Sequence, residues 1–148
     1  ASPHNPAAEG LRQRTAAALG RKGVLALKKS RLDEAEDDFK SLVVLKPDDD
    51  WSKQRLARTL QLRAERAFER KRYNAALADA NAALELQPED APARLVLADT
   101  YLALGKREVA GEEYQRVLDV RPADKHARRG LKEATEVKVA TKGKKKKR

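Results

Sequence analysis

The segment Leu86-Gln87-Pro88-Glu89-Asp90 returns in altered form as Val120-Arg121-Pro122-Ala123-Asp124, and the two prolines stand 34 residues apart. A third version, Leu45-Lys46-Pro47-Asp48-Asp49, precedes them, with Pro47 lying 41 residues before Pro88. In each, the proline stops one helix. The aspartates Asp90 and Asp124 can then cap the next, with Pro92 tolerated in a first helical turn. Counting back from the prolines brings the small and apolar residues into register. Ala35, Ala76 and Ala110 lie twelve residues before, and Leu42, Ala83 and Val117 five before. Gly23, Ala64 and Ala98 lie twenty-four before, with Ala26, Ala67 and Tyr101 one turn later.

Within each half-repeat the apolar residues recur at helical spacing, as in Leu77, Ala80 and Leu84 or Leu95, Ala98 and Leu102. Breakers separate the halves at Ser30 to Asp33, Lys71 to Asn74 and Gly105-Lys106. The pattern predicts an all-α chain of three helix hairpins plus a C-terminal capping helix, stacked because one pair cannot bury its apolar face alone. The parts are an N-terminal segment over 1–15, repeats over 16–49, 50–90 and 91–124, a capping helix over 125–140 and a basic disordered tail over 141–148. The capping helix carries the stripe Ala127, Leu131, Ala134, extending to Val137. The second repeat holds seven extra residues, around Asp50 to Leu56. Seven residues are nearly two turns with only about 20° of drift, so they lengthen a helix without rotating its buried face. A long third helix, from Trp51 to Arg70, is expected.

Composition narrows the function. The 148 residues contain no cysteine, which excludes disulfides and thiolate metal sites, and the cytosol is the default compartment. The apolar runs are too short for a transmembrane segment. His4 and His126 stand alone, so no metal site is expected, and both read as exposed residues without a role. No glycine-rich phosphate loop or paired catalytic carboxylates appear, so neither cofactor nor enzyme activity is expected. The net charge of +10 is concentrated. Seven Lys or Arg and no acid lie between Val137 and Arg148, leaving 26 basic and 23 acidic residues elsewhere. The body is nearly balanced.

The 34-residue period and its register of small residues resemble the tetratricopeptide repeat. The lengthened third helix and basic capping helix are similar to the repeat modules of heat-shock co-chaperones, above all those of J-domain co-chaperones. Lys22-Gly23-Val24-Leu25-Ala26-Leu27 and His126-Ala127-Arg128-Arg129-Gly130-Leu131-Lys132 carry that likeness. The resemblance implies a right-handed superhelix that binds other proteins, a chaperone or its client among them. Many such modules grip a chaperone's C-terminal carboxylate with a clamp of two Lys, two Asn and one Arg. By repeat register the clamp positions fall here on Gly20, Val24, Leu62, Pro92 and Val96. None offers a side-chain donor. Such a clamp works through converging charge-assisted hydrogen bonds, so it is absent.

If the first helix of each pair lines the concave surface, Val24, Leu27, Leu62, Phe68, Leu95, Val96 and Leu102 form an apolar strip with acidic edges at Glu65 and Asp99. Such a groove suits a hydrophobic or amphipathic peptide segment. The alternatives are that some of these residues are core, or that the N-terminal segment covers them. Trp51, the single Trp, is either an interface anchor or the residue that starts the long helix by packing on its neighbour. A second functional reading is a scaffold subunit of a larger assembly. Its tail residues Lys142, Lys144, Lys145, Lys146, Lys147 and Arg148 would then contact RNA, acidic lipid or an acidic protein surface. Without interleaved aromatics, nucleic-acid contact there is nonspecific, and such a lysine run also admits nuclear import. Deleting Lys142 to Arg148 is expected to leave helicity and melting unchanged while removing six positive charges and weakening polyanion binding. Circular dichroism and heparin retention measure both.

Overall fold

The computed structural model describes residues 5–136. Within them the chain forms seven helices and no strand: α1 (Pro6–Lys28), α2 (Leu32–Leu45), α3 (Asp50–Glu69), α4 (Tyr73–Leu86), α5 (Ala91–Ala103), α6 (Arg107–Val120) and α7 (Lys125–Thr135). Helices α1/α2, α3/α4 and α5/α6 pair as hairpins, and α7 covers the end of the stack against α5 and α6. The first helix starts at Pro6, so residues 6–15 continue α1 instead of standing apart as a separate segment. Asn5 caps it by accepting from the Ala7 and Ala8 amides. The capping helix ends at Thr135. The stripe residue Val137 and the tail lie outside the described residues.

Both kinds of turn repeat. At the tips of the hairpins Ser30, Lys71 and Gly105 take φ of 55°, 57° and 76°. All three stand seventeen residues before their prolines. The following amides of Arg31, Arg72 and Lys106 donate to the carbonyls of Ala26, Ala67 and Tyr101 at 2.8 to 2.9 Å. That left-handed residue and its long back-bond close the helix end. Between hairpins, Asp49, Asp90 and Asp124 accept from the amides of Ser52, Ala93 and Ala127 at 2.9 to 3.0 Å. A carboxylate there satisfies an orphan donor and complements the positive end of the helix dipole.

The core is closed by matching small residues to large ones. Ala35, Ala76, Ala110, Ala64 and Ala98 are fully buried. Phe39 fills the first hairpin because Gly23 faces it; a Cβ at Gly23 would come within 2.8 Å of the ring. Tyr114 fills the third because α7 presents Gly130, where a Cβ would clash with the Tyr114 ring. Where the second hairpin has Ala80 in the place of these aromatics, Ala64 suffices opposite. Charges tie the hairpins together: Arg63 of α3 pairs with Glu36 of α2 and reaches Asp79 of α4 at 3.3 Å. Burial holds the Asp79 carboxyl above its usual range, partly opposed by Arg63. Arg107 donates to the carbonyls of Glu133, Ala134 and Glu136 and so finishes α7.

Two sets of substitutions test this packing by thermal melting. Ala76→Leu and Ala83→Leu overfill positions with no exposure and are expected to lose about 1–3 kcal/mol. Ser30→Gly and Lys71→Gly relieve left-handed strain and are expected to stabilise by up to about 1 kcal/mol each.

Candidate functional site

The first helices of the pairs, together with α7, form a continuous face with a hollow at each end. Helix α3 packs directly on α5, and α5 on α7, but α1 stands away from α3. The gap is a cleft of about 600 Å³. Ala16, Ala17, Gly20 and Val24 form its α1 wall, Leu42 lies below, and Trp51 closes the α3 side. The Trp51 ring would sit 3.5 Å from a Cβ at Gly20, meets Phe39 edge-on at 6.0 Å, and carries the Arg55 guanidinium 5.2 Å from its centroid. The ring thus has neighbours on three sides. The seven extra residues place it there, since α3 has 20 residues where α5 has 13.

The second hollow, about 300 Å³, lies between α3, α5 and α7 and is lined by Phe68, Asp99, Leu102, Tyr114, His126 and Arg129 among others. Here Asp99 is no free acidic edge. The Tyr114 hydroxyl donates to its Oδ1 at 2.5 Å, and His126 Nε2 lies 2.9 Å from the same oxygen. His126, exposed as expected, thus also joins α7 to α5.

The expected strip divides when placed in the structure. Val24 lines the first cleft and also packs on the core of the first hairpin, as does Leu27. Phe68 and Leu102 line the second hollow. Leu95 packs on the core of the third hairpin, and Leu62 is half-buried. Val96 is 8% exposed, among Ala64, Ala80 and Leu97, and so belongs to the core and not to an open strip. Glu65 accepts from Gln61 Nε2 at 2.5 Å. Of the three cations beside the mapped clamp positions, Lys22 pairs with Asp38 and Arg94 with Glu113, whereas Arg21 borders the first cleft.

Sequence reasoning did not single out Tyr114, although it stands eight residues before Pro122 as Phe39 does before Pro47. It also did not place at the cleft Leu42 of α2 and Lys46, the residue that follows that helix. Among the described residues, no group of three or more His, Cys, Asp or Glu side chains could hold a metal, and no helix is long and apolar enough to cross a membrane.

Burial, then the hydrogen bond to Asp99, raises the Tyr114 hydroxyl well above its ordinary range. A raised pKa in the folded state means that the unfolded chain releases this proton first. The stabilisation is therefore complete below the ordinary tyrosine value of about 10 and is lost as the pH climbs beyond it. Chemical denaturation at rising alkaline pH should show this decline, and Tyr114→Phe should flatten it while lowering stability at neutral pH.

Solved structures share this architecture. The first repeat domain of Spaghetti (RPAP3), solved bound to the HSP90 peptide SRMEEVD, is 26% identical at a TM-score of 0.54, over 82% of this chain and 90% of that one. The first domain of human RPAP3 is 26% identical at 0.51, over 81% and 89%. The yeast Sti1 TPR2B domain, in its Hsp70 complex, shares the fold at 17% identity and 0.51, over 82% and 96%. No curated protein sequence matches this chain. Sequence models of the tetratricopeptide repeat match residues 7–50, the first hairpin, and 67–134, from the end of α3 through α7. With both matches falling on the register-matched hairpins, the chain belongs to the tetratricopeptide-repeat family.

Proposed function

We propose that this chain is a protein-interaction adaptor of co-chaperone type that holds a hydrophobic or amphipathic peptide segment on its first-helix face, without a carboxylate clamp. The observation that carries this reading is the side-chain chemistry at the clamp positions. Gly20 and Val24 line an apolar cleft, Leu62 is half-buried, Pro92 sits in the first turn of α5, and Val96 is core. Peptide recognition itself is supported by the 26% identical Spaghetti domain, which was solved with an HSP90 peptide. The same face in this chain offers apolar contact where a clamp needs converging donors.

The test is a titration with three peptides: SRMEEVD with a free C-terminus, the same peptide amidated, and a blocked amphipathic helix. The amphipathic peptide is expected to bind most tightly, and amidation is expected to change the affinity of the acidic peptide by less than about twofold, under about 0.5 kcal/mol. Micromolar binding of free SRMEEVD that amidation abolishes would overturn the proposal.

A further inference from the structure

The cleft between α1 and α3 differs from the rest of the face in its rim. Its floor and walls are Ala16, Ala17, Gly20, Val24, Leu42 and Trp51, while Arg21, Lys28 and Lys46 stand around it. All three cations are exposed, and among the described residues none has a carboxylate within 4.0 Å. The single acid of the lining, Asp49, accepts from the Ser52 amide at 3.0 Å and leaves the three cations in excess. Three other cations of these helices are paired: Lys22 with Asp38, Lys40 with Glu36, Arg63 with Asp79. Three cations without an ion pair thus border the apolar cleft.

We propose that this cleft anchors an acidic amphipathic helix of a partner protein. Apolar side chains of the partner enter beside Trp51, and its carboxylates meet Arg21, Lys28 and Lys46. The inference rests on the adaptor reading and locates its binding site. The volume of about 600 Å³ falls in the range of roughly 300–1,000 Å³ typical of ligand pockets. Charge selects the occupant. The chain's own 137–148 segment, with seven Lys or Arg and no acid, is repelled by this rim. An acidic partner gains attraction during encounter and loses little on docking, because the rim cations remain solvated.

Trp51 is the chain's single Trp and forms the cleft wall, so its emission reports occupancy directly. The probes are blocked helical peptides with Leu or Phe at i, i+3, i+4 and i+7 and Glu at the other positions, a matching peptide with Lys for Glu, and one with Ala for the apolar residues. The acidic amphipathic peptide is expected to shift Trp51 emission and to bind at least about tenfold more tightly than either control, roughly 1.4 kcal/mol. Ala17→Glu and the double variant Lys28→Glu/Lys46→Glu change exposed side chains, so each should keep its helicity and lose about tenfold or more in affinity. Equal binding of the lysine peptide would overturn the proposal. So would binding that leaves Trp51 emission unchanged and is lost in Leu62→Glu but not in Ala17→Glu, an outcome that keeps the adaptor reading and moves its site. Failure of every peptide to bind would defeat both. A dimer in sedimentation velocity that Ala17→Glu dissociates would assign the cleft to a second copy of the chain, and would also overturn it.

Discussion

Close approach between first and second helices is the constraint on which the rest of this structure depends. A helix pair can bury a shared face only where one side chain yields to another. Interiors pack so tightly that a single misplaced methyl group is felt. Here the yielding residue keeps one register position, Gly23, Ala64 and Ala98, and in the first two hairpins its size follows what stands opposite. Phe39 requires glycine, whereas Ala80 tolerates alanine. At the far end Gly130 continues the same rule for α7, accepting the ring of Tyr114. The capping helix therefore docks by the mechanism that closes each hairpin, reinforced by Arg107 at its last carbonyls and by His126 at Asp99.

The seven extra residues turn this regular stack into one with a distinct end. Because they add nearly two full turns, the buried face of α3 keeps its direction while its N-terminus reaches further towards α1. Trp51 rides on that extension and lies over Gly20 of α1, where a Cβ would meet its ring at 3.5 Å. The ring lies between the two helices and lines the apolar cleft that separates them. The mirror position at the other end of the face is filled differently, by Asp99, Tyr114 and His126 in mutual hydrogen bonds. One end of the face thus offers apolar surface with free cations, and the other a satisfied polar network.

The repeat, its turns and its small-residue register were legible because backbone geometry dictates them. Pro47, Pro88 and Pro122 punctuate, the aspartates beside them cap, and alanine spacing marks the crossings. Ala76 and Ala83 are buried as that spacing requires. The face was legible only in part. Helical register gives the direction of a side chain but not how far the neighbouring helix encroaches on it, so Val96 was placed on open surface although it lies against Ala64 and Leu97. Likewise the partners of Asp99 come from α6 and α7, 15 and 27 residues away, and no local pattern announces them. Ser30 and Lys71 were readable as breakers, but their left-handed geometry was apparent only from their equivalence to Gly105.

Loss of the clamp donors and exposure of unpaired cations have a common consequence for specificity. A carboxylate clamp reads a chain terminus, because its donors converge on one point and leave anything without a free carboxylate unrewarded. An apolar cleft with charges only at its rim reads a pattern along a helix instead. The buried side chains supply most of the affinity, and the rim rejects partners of the wrong sign, since like charges brought together are costly while correct pairs at an exposed rim add little. In the proposed site Trp51 already has Gly20, Phe39 and Arg55 as neighbours, so less conformational freedom is lost there when a ligand arrives. Under the proposed reading, preorganised apolar contact with an electrostatic filter replaces the clamp, and the ligand need not end in a carboxylate.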